Sequence, residues 1–205
     1  MIVKNVRKVK DFYYKKAKKD KYPARSVYKL EEALNKHKFI RRGASVLDLG
    51  CCPGSWSLYA SEVVGEKGIV VGVDLQEVDL SPRAGGSEII WIRQDIMKPE
   101  LIVELRKIRP AFKVLISDLA PRTTGNRWAD HQQSMQLVRR TLALASTLLH
   151  PGGNYYCKAF QGEDFPEFVK EVNEQFSKVK IIKPKSSRVE SREVFVLGMD
   201  FRRKK

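Results

Sequence analysis

Short, almost uninterrupted apolar runs alternate with helical segments along most of this sequence, and that alternation limits the fold more than any other feature. The runs "SVLDLG", "GIVVGVDL" and "KVLISDLA" are typical of strands buried on both faces. The segments "SWSLYASEVVG" and "PELIVELRKI" have the apolar spacing of helices. Strands that alternate with helices build a largely parallel sheet with helices on both faces. The sequence therefore predicts an α/β fold.

The end of the sequence departs from this alternation. The last two predicted strands, "KVKIIKP" and "REVFVLGMDF", leave no room for a helix between them, so they are predicted to pair antiparallel. A chain of 205 residues is long enough for one sizeable domain and too short for two ordinary ones. We expect residues 1–42 to be a basic helical extension of the domain that residues 43–205 form.

Positive charge is concentrated at the start of the chain. The net charge is +15, and residues 1–42 carry 15 basic and 4 acidic side chains, whereas the rest contributes only +4. This imbalance favours a polyanionic partner over a merely solvated face. Aromatic residues interleave with the lysines, and they can stack on unpaired bases or pack the arm onto the body. These aromatic residues are Phe12, Tyr13, Tyr14, Tyr22 and Tyr28.

Several classes of protein do not fit the sequence. No apolar run approaches the ~18–20 residues that span a bilayer, and the charged N-terminus lacks the apolar core of a secretory signal. We therefore expect a cytoplasmic protein that contacts no membrane, and we expect a monomer. The three cysteines, Cys51, Cys52 and Cys157, are predicted to be free thiols, and no Cys/His spacing indicates a metal site.

The turn after the first strand, Gly50 to Trp56, indicates a nucleotide-binding site of an unusual kind. It matches neither GxGxxG nor GxxxxGK[ST], so it lacks the features that hold a pyrophosphate or a triphosphate. Asp48 precedes the turn, and an acidic turn suits a cationic nucleoside such as S-adenosylmethionine better than NAD. Asp74, at the end of the second strand, is placed to accept hydrogen bonds from ribose hydroxyls, and Asp95 to meet an adenine amino group.

Five motifs together resemble one known family. "ARSVYKLEE", "LDLGCCPGSWS", "SDLAP", "CKAFQGE" and "SSRVESREVFVLG" are similar to the signatures of FtsJ-type RNA 2′-O-ribose methyltransferases, in the right order from about Lys10 to Met199. The resemblance implies a Rossmann-like, S-adenosylmethionine-dependent methyltransferase fold. Its seven-stranded sheet is mostly parallel, with the last strand antiparallel and helices on both faces. Cys51 and Cys52 depart from the small, alanine-like residues that the family commonly has in the turn.

The resemblance also implies the residues of the site. A catalytic tetrad falls on Lys29, Asp118, Lys158 and Glu193. Contacts with the methyl donor are expected at the turn and at the strand ends, namely at Asp48, Gly50, Gly54, Trp56, Asp74, Asp95 and Asp118.

A ribose 2′-hydroxyl is a weak nucleophile, so an enzyme must align it, remove its proton and exclude water. A neutral amine can accept that proton. Neighbouring positive charge and desolvation favour the neutral form, whereas neighbouring carboxylates favour the charged one. We assign Lys158 as the general base with Asp118 orienting it, and expect Lys29 and Glu193 to position the ribose and tune the charge.

The expected reaction is methyl transfer from S-adenosylmethionine to a ribose 2′-hydroxyl of structured RNA. Within the family, the resemblance points to a uridine of 23S-type rRNA in the 50S subunit, with a tRNA 2′-O-methyltransferase as the alternative. Arg122 and Arg127 make the loop after "SDLAP" basic, which bears on the choice of RNA. A non-catalytic RNA-binding protein on a decayed methyltransferase fold and an NAD-dependent oxidoreductase are the hypotheses from other classes.

Overall fold

The computed structural model describes residues 12–121, 127–187 and 191–202, with Arg127 described by its backbone alone. The strands in these ranges are β1 (Ser45–Leu49), β2 (Ile69–Asp74), β3 (Glu88–Arg93), β4 (Phe112–Ser117), β5 (Leu149–Phe160), β6 (Phe176–Ile182) and β7 (Glu193–Phe201). The helices are α1 (residues 12–19), α2 (Val27–His37), α3 (Ser55–Val64), α4 (Glu100–Ile108), α5 (Arg127–Leu148) and α6 (Phe165–Gln175).

The strands form one sheet in the order β3-β2-β1-β4-β5-β7-β6. Strands β1 to β5 pair in parallel, whereas β7 lies between β5 and β6 and is antiparallel to both. This arrangement confirms the predicted seven-stranded, mostly parallel sheet and the antiparallel last strand. The strand order reverses between β1 and β4, and in such sheets a ligand crevice opens beyond the carboxyl ends of the strands at the reversal.

Helices cover both faces of the sheet, as predicted. On one face α4, α5 and α6 bury residues such as Leu105, Leu142 and Phe168 against the strands. On the other face α2 and α3 bury Leu30 and Ala60. Within the described ranges, no helix is both long and apolar enough to cross a membrane.

Two element boundaries are defined by the structure. The helix α2 spans Val27–His37, and it ends where Lys38 adopts a left-handed conformation (φ 51°) and donates its backbone N–H to Leu34 O. The long helix α5 ends at Leu148, and the segment Pro151–Gly153 that follows lies inside β5. The pairing between β4 and β5 shifts register at this place, which accommodates the glycines in the strand.

Two aromatic residues of the basic arm pack it onto the body, which is one of the two roles expected for them, and stacking on bases stays a prediction. Tyr28 is buried against Ala17, and its hydroxyl donates to Asp20 at 2.9 Å. Tyr22 donates to Glu62 of α3 at 2.8 Å, so the arm is attached to the body through hydrogen bonds as well as apolar contact. Exposed side chains of the arm include Phe12 and Tyr14. The division of the chain at residue 42 stays a prediction.

Candidate active site

The four residues of the predicted tetrad lie together at the end of the sheet where the parallel strands β4 and β5 terminate. Lys29 Nζ is 2.8 Å from Glu193 Oε2 and 3.7 Å from Asp118 Oδ1. Lys158 Nζ is 3.0 Å from the same Asp118 Oδ1, and it also donates to the Asp118 carbonyl oxygen at 2.6 Å. Asp118 is therefore the link between the two lysines, and all four side chains are largely buried.

Glu193 is held in its ionised form at this site. Burial alone raises the pKa of the Glu193 carboxyl, but the ammonium of Lys29, together with Lys158 and the hydroxyl of Ser187, lowers that pKa below its ordinary value. Ser187 Oγ donates to Glu193 Oε1 at 2.9 Å. The cluster thus presents two lysine amines and two carboxyl groups, each with a defined partner, in a poorly hydrated position.

Each member of the tetrad comes from a different part of the chain. Lys29 is in the first turn of α2, Asp118 follows β4, Lys158 lies near the end of β5, and Glu193 opens β7. Because β7 runs antiparallel to β5, its first residue meets the end of β5, and Phe160 pairs with Glu193. The antiparallel last strand is therefore what delivers Glu193 to the edge where the parallel strands end.

A layer of aromatic rings holds α2 in position over this edge. The Trp56 indole stacks on Tyr156 with 5.6 Å between ring centroids, and Tyr156 stacks on Phe195 at 5.0 Å. Trp56 Nε1 donates to Ser26 O at 2.9 Å, and the Tyr156 hydroxyl donates to Lys29 O at 3.2 Å. These two bonds fix the backbone at the start of α2, and with it the position of Lys29.

A cavity of about 630 Å³ lies beside the tetrad, beyond the carboxyl ends of β1, β2 and β4. Its size falls in the ordinary range for small-molecule and cofactor sites. The carboxyl-bearing residues Asp74, Asp95 and Asp118 line it, and within the described part of the chain no Lys, Arg or His does. A wall with three acids and no base suits a cationic ligand and opposes a polyphosphate.

The turn between β1 and α3 shapes one wall of this cavity. Asp74 accepts the backbone N–H groups of Cys52 at 3.0 Å and Gln76 at 2.9 Å, so its carboxylate is fixed at the end of β2. Gly50 has φ +77°, and a Cβ there would lie 2.3 Å from Leu119 Cδ2. Glycine is therefore required at position 50 both for the backbone conformation and for the close approach of the β4–α5 connection.

A second, smaller cleft of about 330 Å³ opens over the tetrad itself. Lys29, Lys158 and Glu193 line this cleft, and Ala120 lines both the cleft and the larger cavity. The two spaces meet beside Asp118 and Ala120. A ligand in the cavity and a second molecule in the cleft would therefore approach each other at Asp118.

Three residues expected to contact the donor do not line the cavity. Asp48 is buried inside β1 (1% exposed), where Oδ2 accepts a hydrogen bond from Ser57 at 2.7 Å. The Trp56 side chain points into the aromatic layer under α2, and Gly54 faces Leu80 instead of the cavity. Asp48 is the last residue but one of β1, and its side chain points to the face that α3 covers, where Ser57 lies, because successive side chains of a strand point to opposite faces.

Residues that the sequence motifs did not indicate also line the two spaces. Gln133 and Gln136 of α5 line the donor cavity, and Arg25, Phe160 and Ser191 line the cleft over the tetrad. The glutamines sit three residues apart, on one face of the helix that follows "SDLAP", which is the signal in the sequence that indicates them. Arg122 and the Arg127 side chain, expected to face the substrate, lie outside the described residues.

The three cysteines are free thiols and belong to no group with the arrangement of a metal site in the described part of the chain. Cys51 and Cys157 are buried and Cys52 is half-buried, and all three are free thiols. Burial raises the pKa of the Cys157 thiol and that of the Cys51 thiol, so these two remain protonated. Across the described ranges, no group of His, Cys, Asp and Glu has the arrangement of a metal site.

Comparison with known proteins agrees with this geometry. A family model described as FtsJ-like methyltransferase matches residues 22–201. A relative from Desulfotalea psychrophila, named ribosomal RNA large subunit methyltransferase E, is 59% identical over 198 residues, which are 97% of this chain and 98% of the relative. A protein of the same name from Nitratidesulfovibrio vulgaris (strain DP4) is 44% identical over 96% of each chain.

Solved structures agree as well. A crystal structure from Plasmodium falciparum, described as a ribosomal RNA methyltransferase, superimposes with a TM-score of 0.77 at 26% identity, over 89% of this chain and 100% of that one. The fold is accordingly that of a Rossmann-like methyltransferase. The chain belongs to the FtsJ-like methyltransferase family, as the resemblance of its motifs predicts, and it is an enzyme that takes a methyl group from a donor.

Asp48 makes the stability of the protein depend on pH in a direction that can be measured. Burial raises the pKa of Asp48 from 3.8 to about 7, the nearby charges of Asp118 and Asp74 add to the rise, and the hydrogen bond from Ser57 opposes it. The folded protein thus binds this proton more tightly than the unfolded chain does. The resulting stabilisation is complete below about pH 4 and is lost as the pH rises to about 7.

Replacing Asp48 by Asn should remove this dependence. We expect the free energy of unfolding of Asp48→Asn, relative to the unmodified protein, to rise by about 4 kcal/mol between pH 4 and pH 8 and to level off above pH 8. Urea unfolding at several pH values measures it. The exposed Asp79→Asn serves as the matched control, and a difference for Asp48→Asn that does not change with pH would contradict the raised pKa.

Proposed function

We propose that this enzyme transfers the methyl group of S-adenosylmethionine to a ribose 2′-hydroxyl in RNA of the large ribosomal subunit, with a uridine of 23S-type rRNA as the target. The observation that carries the proposal is the position of Asp118, which lines the acid-walled cavity and contacts both lysines of the tetrad. The names of the relatives supply the class of RNA. We propose that it acts as a monomer, and that it acts in the cytoplasm.

The cavity has the chemistry that the proposed donor requires. S-adenosylmethionine is a cation without phosphates, and it supplies a methyl group activated by a sulfonium. The Asp74 carboxylate is positioned to accept the ribose hydroxyls, and Asp95 is positioned to accept the adenine amino group. Asp95 Oδ1 is itself fixed by the Met97 N–H at 2.9 Å. The negative wall favours the positive charge of the donor.

The tetrad has the groups that the acceptor requires. The 2′-hydroxyl oxygen forms a bond to the methyl carbon while the bond from that carbon to sulfur breaks, and the hydroxyl proton passes to Lys158 Nζ as the general base. Asp118 orients Lys158 through its side-chain and backbone oxygens. Lys29, paired with Glu193, completes the wall of the cleft and positions the ribose.

The donor assignment predicts a specific ligand preference. S-adenosylhomocysteine should raise the melting temperature of the protein, whereas NAD, with its pyrophosphate, should leave it unchanged. Asp74→Asn should weaken S-adenosylhomocysteine binding about tenfold or more, because a half-buried charged acceptor of the ribose hydroxyls is lost. The exposed Asp79→Asn serves as its control. A larger shift with NAD would overturn the donor assignment.

The acceptor assignment predicts the effect of removing the base. Lys158→Ala should lower the rate of methyl transfer at least about 100-fold, the usual contribution of a general base, and leave the affinity for S-adenosylhomocysteine unchanged within a few-fold. Lys170→Ala, an exposed lysine of α6, is the control. Radiolabelled transfer to 50S particles, 30S particles and bulk tRNA measures the rate, and mapping of the labelled ribose identifies the nucleotide.

The three acceptors separate the competing hypotheses. Label in 50S particles on a ribose 2′-oxygen is the expected result, and label in tRNA alone would favour the tRNA enzyme instead. Binding of RNA without transfer to any acceptor would favour the non-catalytic RNA-binding protein. Full activity of Lys158→Ala would remove Lys158 as the base and leave the reaction itself intact.

The basic arm supplies a second prediction about RNA. Lys15, Lys18 and Lys19 are exposed, whereas Lys16 pairs with Glu31 at 3.2 Å and lies 3.9 Å from the centroid of the Tyr28 ring. We expect Lys15→Gln, Lys18→Gln and Lys19→Gln combined to weaken RNA binding and to lower the slope of log affinity against log salt by about two to three. Lys16→Gln should change the slope less. An unchanged slope in the triple variant would exclude the arm as an RNA contact.

A further inference from the structure

A second concave surface, of about 690 Å³, lies at the end of the sheet where the parallel strands β1 and β4 begin, opposite the end that carries the active site. Seven exposed cations line it, from α2, the α2–β1 connection, β4 and β6. One is Arg42, and we call the other six the basal cluster: Lys36, Lys38, Arg41, Lys113, Lys178 and Lys180. The acidic residue that lines the same surface is Asp200.

The basal surface and the tetrad lie at opposite ends of the same elements, α2, β4 and β5. Lys113 lies at the start of β4 and Asp118 follows its end, and on β5 Asn154 lines the basal surface four residues before Lys158. Four residues of a strand span about 13 Å. The helix α2 carries Lys29 in its first turn and Lys36 in its last, about 10 Å further along the axis. One extended ligand can therefore reach both places.

The cations of the basal cluster are not paired with acids. No carboxylate in the described part of the chain lies within 4.0 Å of any of the six, whereas Lys16, Arg83 and Arg139 elsewhere on the surface all form ion pairs. The imidazole of His37 responds to this field, because burial, followed by the charges of Lys180 and Lys36, lowers its pKa. Six like charges around one concavity repel each other unless an anion neutralises them.

Ordinary structural reasons account for only part of the cluster. The dipole of α2 favours cations at its carboxyl end, which explains Lys36. Lysines on the edge strand β6 discourage pairing with a second sheet, which explains Lys178 and Lys180. Neither reason explains Lys113 on the central strand β4, or why all of these side chains converge on one concavity.

We propose that the basal cluster is a second RNA-binding site, which holds backbone phosphates of the same RNA whose ribose occupies the cleft over the tetrad. This proposal rests on the proposed function, because it assigns the distant contact to the substrate of that reaction. An RNA long enough to follow α2 from Lys29 to Lys36 and beyond uses both sites. A short single strand reaches the cleft alone.

The test compares two triple variants that lose the same charge. One is Lys113→Gln, Lys178→Gln and Lys180→Gln, and the control is Lys67→Gln, Lys107→Gln and Lys170→Gln, three exposed lysines that line neither surface. Fluorescence anisotropy with S-adenosylhomocysteine present measures affinity between 50 and 300 mM KCl. The probes are a transcribed large-subunit rRNA domain of several hundred nucleotides and a labelled dinucleotide, which at about 3.4 Å per nucleotide is too short to span the two sites.

The basal variant should bind the long RNA about tenfold or more weakly and lower its salt slope by about two to three, at ~0.7–0.9 per phosphate contact. Its affinities for the dinucleotide and for S-adenosylhomocysteine should stay within twofold of the unmodified protein, which also shows that it folds. Restoring the charge with Lys113→Arg, Lys178→Arg and Lys180→Arg should restore the affinity for the long RNA.

Equal losses in the two triple variants would overturn the proposal, since they would reflect net charge alone. Unchanged affinity of the basal variant for the long RNA would overturn it as well. The proposed function fails separately, because binding is measured without turnover. If the unmodified protein binds the long RNA with the expected dependence on the basal cluster but transfers no methyl group, the second RNA site stands and the proposed reaction does not.

Discussion

The ion pairs of Asp118 are the interaction on which the rest of the site depends. One carboxylate oxygen lies 3.0 Å from Lys158 and 3.7 Å from Lys29, and the same residue lines the donor cavity. In so dry a position, removing one charge leaves its partners unpaired, which is strongly destabilising. Lys29 and Glu193, which pair within the same cluster, are 164 residues apart in the chain. The cluster therefore forms only when α2, β4, β5 and β7 are all in place. The proposed chemistry thus depends on the complete fold.

The aromatic layer under α2 connects the position of this helix to the packing of the core. Trp56, Tyr156 and Phe195 are stacked and almost fully buried, and two of them hydrogen bond to the backbone at the start of α2. Stacked, buried rings leave little freedom for the helix that carries Lys29. Trp56 thereby contributes to the site as a positioning residue for α2, although its side chain is remote from the donor cavity. The aromatic layer thus connects the turn after β1, through the start of α2, to Lys29 of the catalytic cluster.

Much of this could be predicted from the sequence because the signals are local. Apolar runs predict the seven strands, and the short connection before "REVFVLGMDF" predicts the antiparallel β7. The tetrad follows from motifs that each contain one of its residues. The orientation of a side chain is not local: Asp48 and Trp56 lie beside the cofactor turn in the sequence, yet one points into β1 and the other into the aromatic layer. The basal cluster has no motif at all, because its lysines come from four separate elements that only the folded sheet brings together.

The distribution of charge follows from two opposite demands on one small domain. A cationic donor needs a negative wall, and an RNA backbone needs a positive one, so the two surfaces must be kept apart or they would repel each other's ligand. Asp74 and Asp95 lie in a cavity that no described cation lines, and the unpaired lysines collect at the other end of the sheet and on the arm. At Asp118 both signs meet, and each group there has a partner. That is the place where a cation and a polyanion must come within reach of each other for a methyl group to pass between them.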